Sequence, residues 1–215
     1  MFVNRQDAAR RLADALKAYA ADRPVVVAIP RGAVPMAATI AEALHGDLDV
    51  VLVRKLGAPG NPEFAIGAVD EAGHVYQPKH AVRLKIPAEY LASEKAHQLA
   101  TLRRRRDQYT PGLKPIDLTG RTVIVVDDGI ATGATMVAAL DALRARDPKR
   151  LIAAVGVAPP DTLYLIEQHA DEVVCLEAPI EFYAVGQFFQ DFSQVEDSEV
   201  AETLRHFREP QPNQK

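Results

Sequence analysis

The chain has 215 residues, of which 48% are hydrophobic, and it carries a formal net charge of −4. This apolar fraction is sufficient for one core, and the charge balance gives no reason to expect a nucleic-acid partner, which usually requires a basic face. The single cysteine, Cys175, excludes an internal disulfide framework and is typical of a reducing compartment. No apolar run approaches the ~18 residues of a membrane span, and no signal peptide is recognisable. We therefore expect a single domain over residues 1–215 that is cytoplasmic and has no membrane partner.

The first half of the chain alternates helical and strand patterns. A capping Asn4 precedes an apolar stripe at helical spacing, and the wholly apolar run Val25–Ile29 predicts a buried strand. A second helical pattern continues to about Leu44, and Asp49–Val53 predicts a second strand. The segment Leu56–Pro62, which is rich in glycine and proline, is interpreted as a loop.

Charged residues follow both of these predicted strands. Pro30-Arg31-Gly32 comes directly after the first strand, and Arg54-Lys55 comes after the second. Because α/β sheets bind ligands at the carboxyl ends of their strands, these cations are candidates for binding an anion. The alternatives are a plain strand–helix connection with an exposed Arg31 and a solvated charge pair at Arg54-Lys55.

The middle of the chain departs from this alternation. Residues 63–69 and 73–76 can pair as a hairpin, in which Glu63 is a candidate acid or base, or simply an exposed carboxylate. Pro87–Tyr109 predicts one long polar helix that ends in the run Arg103–Arg106. A solvated or packing face explains such a run, since cations near a helix C-terminus complement its dipole. Contact with RNA or an acidic partner is the alternative.

The most informative stretch is Thr122–Met136. Val123–Val126 is a short β-branched run typical of a strand buried on both faces, and Asp127 and Asp128 follow where it would leave the core. A loop of small residues then precedes a helical pattern, which places backbone amides at a helix N-terminus that favours a phosphate. The loop residues that would bind the phosphate are Ala131, Thr132, Gly133, Ala134 and Thr135.

The two carboxylates require a different partner, because they would repel a phosphate. We expect Asp127 and Asp128 to face the hydroxyls of an attached sugar, or a magnesium ion. The simplest alternative is a tight turn at Asp128-Gly129, but a hairpin needs an alternating strand next, and a helical pattern follows instead. A sugar phosphate is therefore the predicted ligand.

The rest of the chain continues the α/β pattern. Strands are predicted over residues 149–158 and 172–176 with a helix between them, which indicates a mostly parallel, doubly wound sheet with helices on both faces. Aromatic residues cluster over 181–192, where they can wall a flat ring pocket or belong to the core. A helix over 195–207 and a frayed tail over 209–215 complete the prediction.

The segment Val-Ile-Val-Val-Asp-Asp-Gly-Ile-Ala-Thr-Gly-Ala-Thr, residues 123–135, resembles the motif with which type I phosphoribosyltransferases bind 5-phosphoribosyl 1-diphosphate (PRPP). The resemblance implies the fold of that family, with a helical and hairpin insertion at about 71–115 and a C-terminal hood at about 178–208. It also implies that residues 131–135 hold the 5-phosphate of PRPP.

The same resemblance assigns roles to the charged residues. Asp127 and Asp128 would hold the ribose hydroxyls and, mainly through PRPP itself, Mg²⁺. Arg31 and Gly32 match the pyrophosphate loop, which often contains a non-proline cis peptide, and Arg54 and Lys55 match the basic pair near the diphosphate. The residues implied for catalysis are thus Asp127, Asp128, Arg54 and Lys55.

The function implied by this resemblance is Mg²⁺-dependent transfer of the phosphoribosyl group of PRPP to a nitrogenous base, with release of pyrophosphate. The alternative is a regulatory protein that senses PRPP or a nucleotide without turnover. The sequence identifies neither the base nor the oligomeric state, for which a homodimer is one alternative.

Overall fold

The apolar, β-branched runs form the strands of the protein, which is described by a computed structural model over residues 1–77, 81 and 83–208. The strands are β1 (Val25–Ala28), β2 (Asp47–Val50), β3 (Val53–Ala58), β4 (Asn61–Asp70), β5 (Val75–Tyr76), β6 (Thr122–Gly129), β7 (Arg150–Val157) and β8 (Glu172–Glu177). The α-helices of this part of the chain are α1 (Arg5–Ala15), α2 (Ala33–Ala43), α3 (Ala88–Tyr109), α4 (Ala134–Arg144), α5 (Pro160–Ile166) and α6 (Asp197–Arg208). Two short 3-10 helices cover Lys17–Asp22 and Val185–Phe188. The predicted role of Glu63 and the predicted tail 209–215 lie outside the described side chains and residues.

Five strands form one parallel sheet in the order β2-β1-β6-β7-β8. All neighbouring pairs in it are parallel, and Ala28 of β1 is in register with Val126 of β6. The predicted mostly parallel α/β sheet is therefore confirmed. Because parallel strands share one direction, the carboxyl ends of β1 and β6 reach the same edge of the sheet.

Helices cover both faces of this sheet, as the doubly wound prediction requires. Val26 and Ile124 pack into one core with residues of α1, α2 and α6. Their neighbours Val25 and Val123 point to the opposite face and pack with Met136 of α4. Burial on both faces explains why these strands are apolar at successive positions. No helix in the described part of the chain combines the length and the apolar content needed to cross a membrane.

The predicted second strand is present but displaced, since β2 covers Asp47–Val50 rather than Asp49–Val53, and the predicted loop Leu56–Pro62 is wrong. The chain leaves the parallel sheet after Val50, and β3 begins a separate sheet at Val53, antiparallel to β4. Apolar residues continue through this change of direction, which explains why the run resembles a single strand. Most of the segment interpreted as a loop is strand, with the reversal near Gly60, whose φ is +72°. Arg54-Lys55 consequently lies inside a strand of the second sheet, not at the end of a parallel strand.

The second sheet has the order β3-β4-β5. The predicted hairpin of β4 and β5 is confirmed, with Ala68 opposite Tyr76. Its turn is held by Asp70, whose carboxylate accepts hydrogen bonds from the His74 backbone N–H at 2.8 Å and from the Tyr76 hydroxyl at 3.0 Å. The predicted long polar helix is also confirmed as α3.

Arg106 attaches α3 to the end of β2. Its NH1 donates to Asp49 Oδ1 at 3.0 Å, its NH2 donates to the Val50 carbonyl at 2.9 Å, and its Nε donates to Glu71 Oε2 at 2.7 Å. Asp49 is only 2% exposed, and its other oxygen accepts from the Ile116 N–H at 2.8 Å. Arg106 thus has the packing role that was one of the interpretations of the arginine run.

Replacing Arg106 by Met is expected to lower the free energy of unfolding by about 3 kcal/mol, because the buried Asp49 carboxylate would lose a charged hydrogen-bond partner. Urea unfolding measures this change. Arg103→Met alters an exposed position on the same helix and should change the stability by less than about 0.5 kcal/mol. Equal stabilities of the two variants would contradict the packing role of Arg106.

Candidate active site

The turn after β1 lies directly beside the acids at the end of β6. The Ile29 N–H donates to the Val126 carbonyl at 3.1 Å, and the Pro30–Arg31 peptide is cis, as the family resemblance implied. Gly32 packs so closely on Asp128 that a Cβ atom at position 32 would lie 2.3 Å from Asp128 Oδ2. A side chain at position 32 would therefore displace the carboxylate or the turn.

The predicted phosphate loop forms the N-terminus of α4. Gly133 begins this helix with a φ of +80°, a conformation that favours glycine. The Thr162 hydroxyl of α5 donates to the Ala131 carbonyl at 2.7 Å and fixes the start of the loop. Thr132 and Thr135 are exposed, and their hydroxyls make no hydrogen bond to any residue that the structure describes. The loop thus presents amides and hydroxyls outward, an arrangement that can bind a phosphate.

The two acids are in different electrostatic environments. Desolvation, and secondly repulsion by the Asp128 carboxylate, raise the pKa of Asp127 well above its ordinary value. Asp127 Oδ1 accepts a hydrogen bond from the Asp128 backbone N–H at 2.9 Å. Asp128 is instead ion-paired, because Arg5 Nε donates to its Oδ2 at 2.8 Å. Each carboxylate therefore has one oxygen held by protein, which orients the second.

The side chain of Arg31 points towards the start of α6. Its NH1 lies 3.7 Å from Asp197 Oδ2 and 3.9 Å from Glu196 Oε2. Asp197 also accepts a hydrogen bond from the Tyr109 hydroxyl of α3. Burial and this hydrogen bond raise the pKa of Tyr109 to about 12. The structure thus places the backbone of residue 31 beside the acids, whereas its guanidinium contacts α6.

Arg54 and Lys55 lie on opposite faces of the second sheet, because successive residues of a strand alternate. Arg54 is half-buried, and burial followed by repulsion from Arg105 of α3 lowers its pKa. Lys55 is exposed and shares its face with Val53, which packs against the core that includes α4. Of the predicted pair, only Lys55 is therefore on the side of the phosphate-loop helix.

The aromatic cluster of the hood is divided between core and surface. Phe189 is buried, with its ring centroid 5.1 Å from that of Phe2, and Phe182 and Phe188 stack at 5.3 Å. Tyr183, in contrast, is 86% exposed. Two residues further on, Val185 packs against Gly129, next to the acids. Tyr183 is thus an exposed aromatic residue two positions from a residue that contacts the end of β6.

Sequence reasoning missed Arg5 as a site residue. It precedes Asp128 by 123 positions, and in the sequence it is only a polar residue in the first turn of a helix. Arg5 also contacts Ser193 and Phe192, and both of these residues lie in the hood. No local pattern connects these three segments, so the contact follows from the tertiary fold alone.

Asp127 and Asp128 are adjacent carboxylates in the last residues of β6, at this edge of the sheet. Among the described residues, no group of three or more His, Cys, Asp or Glu side chains could hold a metal ion. Mg²⁺ commonly binds through one or two carboxylates together with substrate phosphates and water. The residues therefore fit a magnesium ion that is held largely by the oxygens of a bound sugar phosphate.

A parallel α/β sheet with its candidate site at the carboxyl edge defines the class of this protein. Within that class, the chain belongs to the phosphoribosyl transferase domain family, whose model matches residues 4–190. This membership confirms the resemblance found in residues 123–135.

Individual relatives agree with the family match. A Mycobacterium tuberculosis protein named "Putative phosphoribosyl transferase Rv0571c" is 42% identical over 205 residues, which cover 95% of this chain and 46% of that protein. The chain thus spans about half the length of the curated relatives it matches. TT1426 from Thermus thermophilus, which has a crystal structure, is 43% identical in sequence to this chain. The match covers 96% of this chain and 98% of the TT1426 chain, with a TM-score of 0.86. A purine phosphoribosyltransferase from Pyrococcus horikoshii shares the fold at 17% identity, with a TM-score of 0.51 over 89% of this chain and 93% of its own.

Replacing Asp127 by Asn is expected to raise the thermal unfolding midpoint at neutral pH. The pKa of Asp127 is raised in the folded state, so its contribution to stability is complete below the ordinary aspartate pKa and is lost as the pH rises through the raised value. Asparagine keeps the oxygen that accepts from the Asp128 N–H and removes the charge. The gain should therefore shrink as the pH is lowered. The exposed Asp14→Asn is the control, and a variant less stable than the wild type at neutral pH would contradict this account.

Proposed function

We propose that the protein transfers the phosphoribosyl group of PRPP to a nitrogenous base and releases pyrophosphate. A nitrogen of the base would form a bond to C1 of the ribose as the bond from C1 to the pyrophosphate oxygen breaks, and the nitrogen would then lose its proton. The single observation that carries this proposal is the contact of Gly32 with Asp128. It joins the candidate pyrophosphate loop to the candidate ribose acids at the edge where the phosphate loop also lies.

The proposed contacts divide PRPP into three parts. Loop residues 131–135 would bind the 5-phosphate, Asp127 and Asp128 would accept hydrogen bonds from the ribose hydroxyls, and the turn at Gly32 would hold the diphosphate. A positive charge develops at C1 as the diphosphate leaves, so fixed groups that orient the sugar and stabilise the leaving anion supply the catalysis. Mg²⁺, bound by the two acids and PRPP, would add positive charge next to the diphosphate.

Lys55 is the better placed of the two predicted cations to meet this diphosphate, because its face of β3 is on the α4 side. Arg31 would reach an anion at its own turn by exchanging partners, since its guanidinium is weakly paired at 3.7 Å and 3.9 Å. Arg54 faces α3, and its contribution would be a longer-range charge.

The alternative function, sensing of PRPP or a nucleotide without turnover, would use the same phosphate loop and acids. A sensor of a nucleoside monophosphate would have no need of a pyrophosphate loop held against those acids, whereas a PRPP sensor would. The close contact of Gly32 with Asp128 therefore favours the enzyme over a sensor of a nucleoside monophosphate.

Calorimetric titration with PRPP and Mg²⁺ is expected to show saturable binding by the wild type. Asp128→Asn and Thr132→Ala should each weaken it about tenfold or more, because the first replaces a charged acceptor of the ribose hydroxyls by a neutral one and the second removes a hydroxyl donor to the phosphate. Thr119→Ala, at an exposed turn away from the site, is the matched control and should bind as the wild type does. No binding by the folded wild-type protein would refute the proposed sugar-phosphate site.

Tyr183→Ala tests whether the exposed ring contributes to the acceptor pocket. Because base–aromatic stacking is worth about 1–3 kcal/mol, the variant should raise the KM for the base about fivefold or more and leave PRPP binding unchanged. Tyr164→Ala is the control, since Tyr164 is also exposed, at 70%, but lies on α5. Steady-state kinetics with the best base measures the difference, and identical kinetics of both variants would exclude Tyr183 from the pocket.

A further inference from the structure

Arg5 connects three separate parts of the candidate site. Its Nε donates to Asp128 Oδ2 at 2.8 Å, and its NH1 donates to the carbonyl oxygen of Ser193 at 2.5 Å. Its guanidinium carbon lies 3.8 Å from the centre of the Phe192 ring. The same guanidinium lies against Gly32, since a Cβ atom there would be 3.0 Å from Arg5 Nε.

This ion pair is well shielded from water. The side chains of Arg5 and Asp128 are only 15% and 13% exposed, so the hydrogen bond between them is both charge-assisted and largely desolvated. A guanidinium presents its donors in a fixed plane, which allows one residue to fix a carboxylate and a carbonyl at the same time. A lysine could supply the charge but not this geometry.

The segment that carries Arg5 is itself anchored to the hood. The Phe2 N–H donates to the Phe188 carbonyl at 2.7 Å, and the Gln190 N–H donates to the Phe2 carbonyl at 2.9 Å. Asn4 caps α1 by accepting from the Asp7 N–H at 3.0 Å. The backbone of Arg5 is therefore fixed on both sides, and its side chain has a defined direction.

We propose that Arg5 is a positioning residue for sugar binding, and this inference rests on the proposed function. By holding Asp128 Oδ2, the guanidinium directs Oδ1 towards the ribose hydroxyls. It also neutralises one of two adjacent negative charges at a site for a polyanionic ligand, where a bare pair of carboxylates would repel PRPP. Through Ser193 and Phe192, the same side chain links the orientation of the ribose acid to the hood.

The test separates the sugar contribution from general damage to the fold. Calorimetry would compare ribose 5-phosphate with ethyl phosphate, a monoester that can occupy the phosphate loop but has no ribose hydroxyls. The ratio of the two dissociation constants measures how much the sugar contributes to binding. It would be determined for the wild type, Arg5→Ala, Arg5→Lys and Arg10→Gln, the last being an exposed arginine of the same helix.

The wild type and Arg10→Gln are expected to prefer ribose 5-phosphate by the same ratio. In Arg5→Ala this ratio should fall about tenfold, because Asp128 loses a charged hydrogen-bond partner, whereas binding of ethyl phosphate should weaken much less, only through the negative charge left on Asp128. Arg5→Lys should show an intermediate ratio. Added methylguanidinium should restore the ratio of Arg5→Ala more fully than methylammonium, which has the same charge but lacks the planar donors.

Equal weakening of both ligands in Arg5→Ala would reduce Arg5 to a structural residue and overturn the inference. An Arg5→Lys ratio equal to that of Arg10→Gln would also overturn it, and this comparison still decides if Arg5→Ala does not fold. A folded wild type that binds neither ligand would refute the proposed function, and the inference with it. Wild-type binding with unchanged ratios would refute only the inference.

Discussion

The candidate site depends on the parallel pairing of β1 with β6. Ala28 is in register with Val126, so β1 ends beside the acids, while β6 continues through them to Gly129 in its pairing with β7. That alignment puts Gly32 against Asp128 Oδ2, and the predicted phosphate loop follows directly after β6. A shift of this register by one residue would exchange the two faces of β6 and separate the acids from the turn.

The central part of the site could be predicted because its signals are local. A buried strand, two acids, a glycine-containing loop and a helix follow one another in 15 residues, Thr122–Met136, and each element determines the direction of the next. The doubly wound sheet could be predicted for a similar reason, since alternating strands and helices leave few other arrangements. The positive φ of Gly133 is the conformation for which glycine is suited.

The remaining parts depend on contacts that are distant in the sequence. Val51 and Leu52 continue an apolar run while the chain passes from one sheet to another, so hydrophobicity does not mark the end of β2. Arg54 and Lys55 lie on opposite faces of β3, and this can be deduced only after β3 has been recognised as a strand. Arg5 and Asp128 are separated by 123 positions in the sequence, and no spacing rule could have joined them.

Charge placement explains how two neighbouring acids can have different roles. Asp127 is desolvated and repelled by its neighbour, which raises its pKa, whereas Asp128 has a guanidinium as a partner. The Arg5 guanidinium therefore offsets the negative charge of the Asp128 carboxylate. The N-terminal helix and the hood both contribute to this arrangement, and neither belongs to the strand–loop–helix unit.

Turnover of PRPP by this protein is measured most directly as product formation. The wild-type protein would be incubated with PRPP, Mg²⁺ and individual purine and pyrimidine bases, and pyrophosphate and nucleoside monophosphate would be quantified together. We expect at least one base to yield pyrophosphate and nucleoside monophosphate in equal amounts, at a rate well above that of a sample without base. Saturable PRPP binding without base-dependent pyrophosphate release from any base would contradict the enzyme and favour a binding protein.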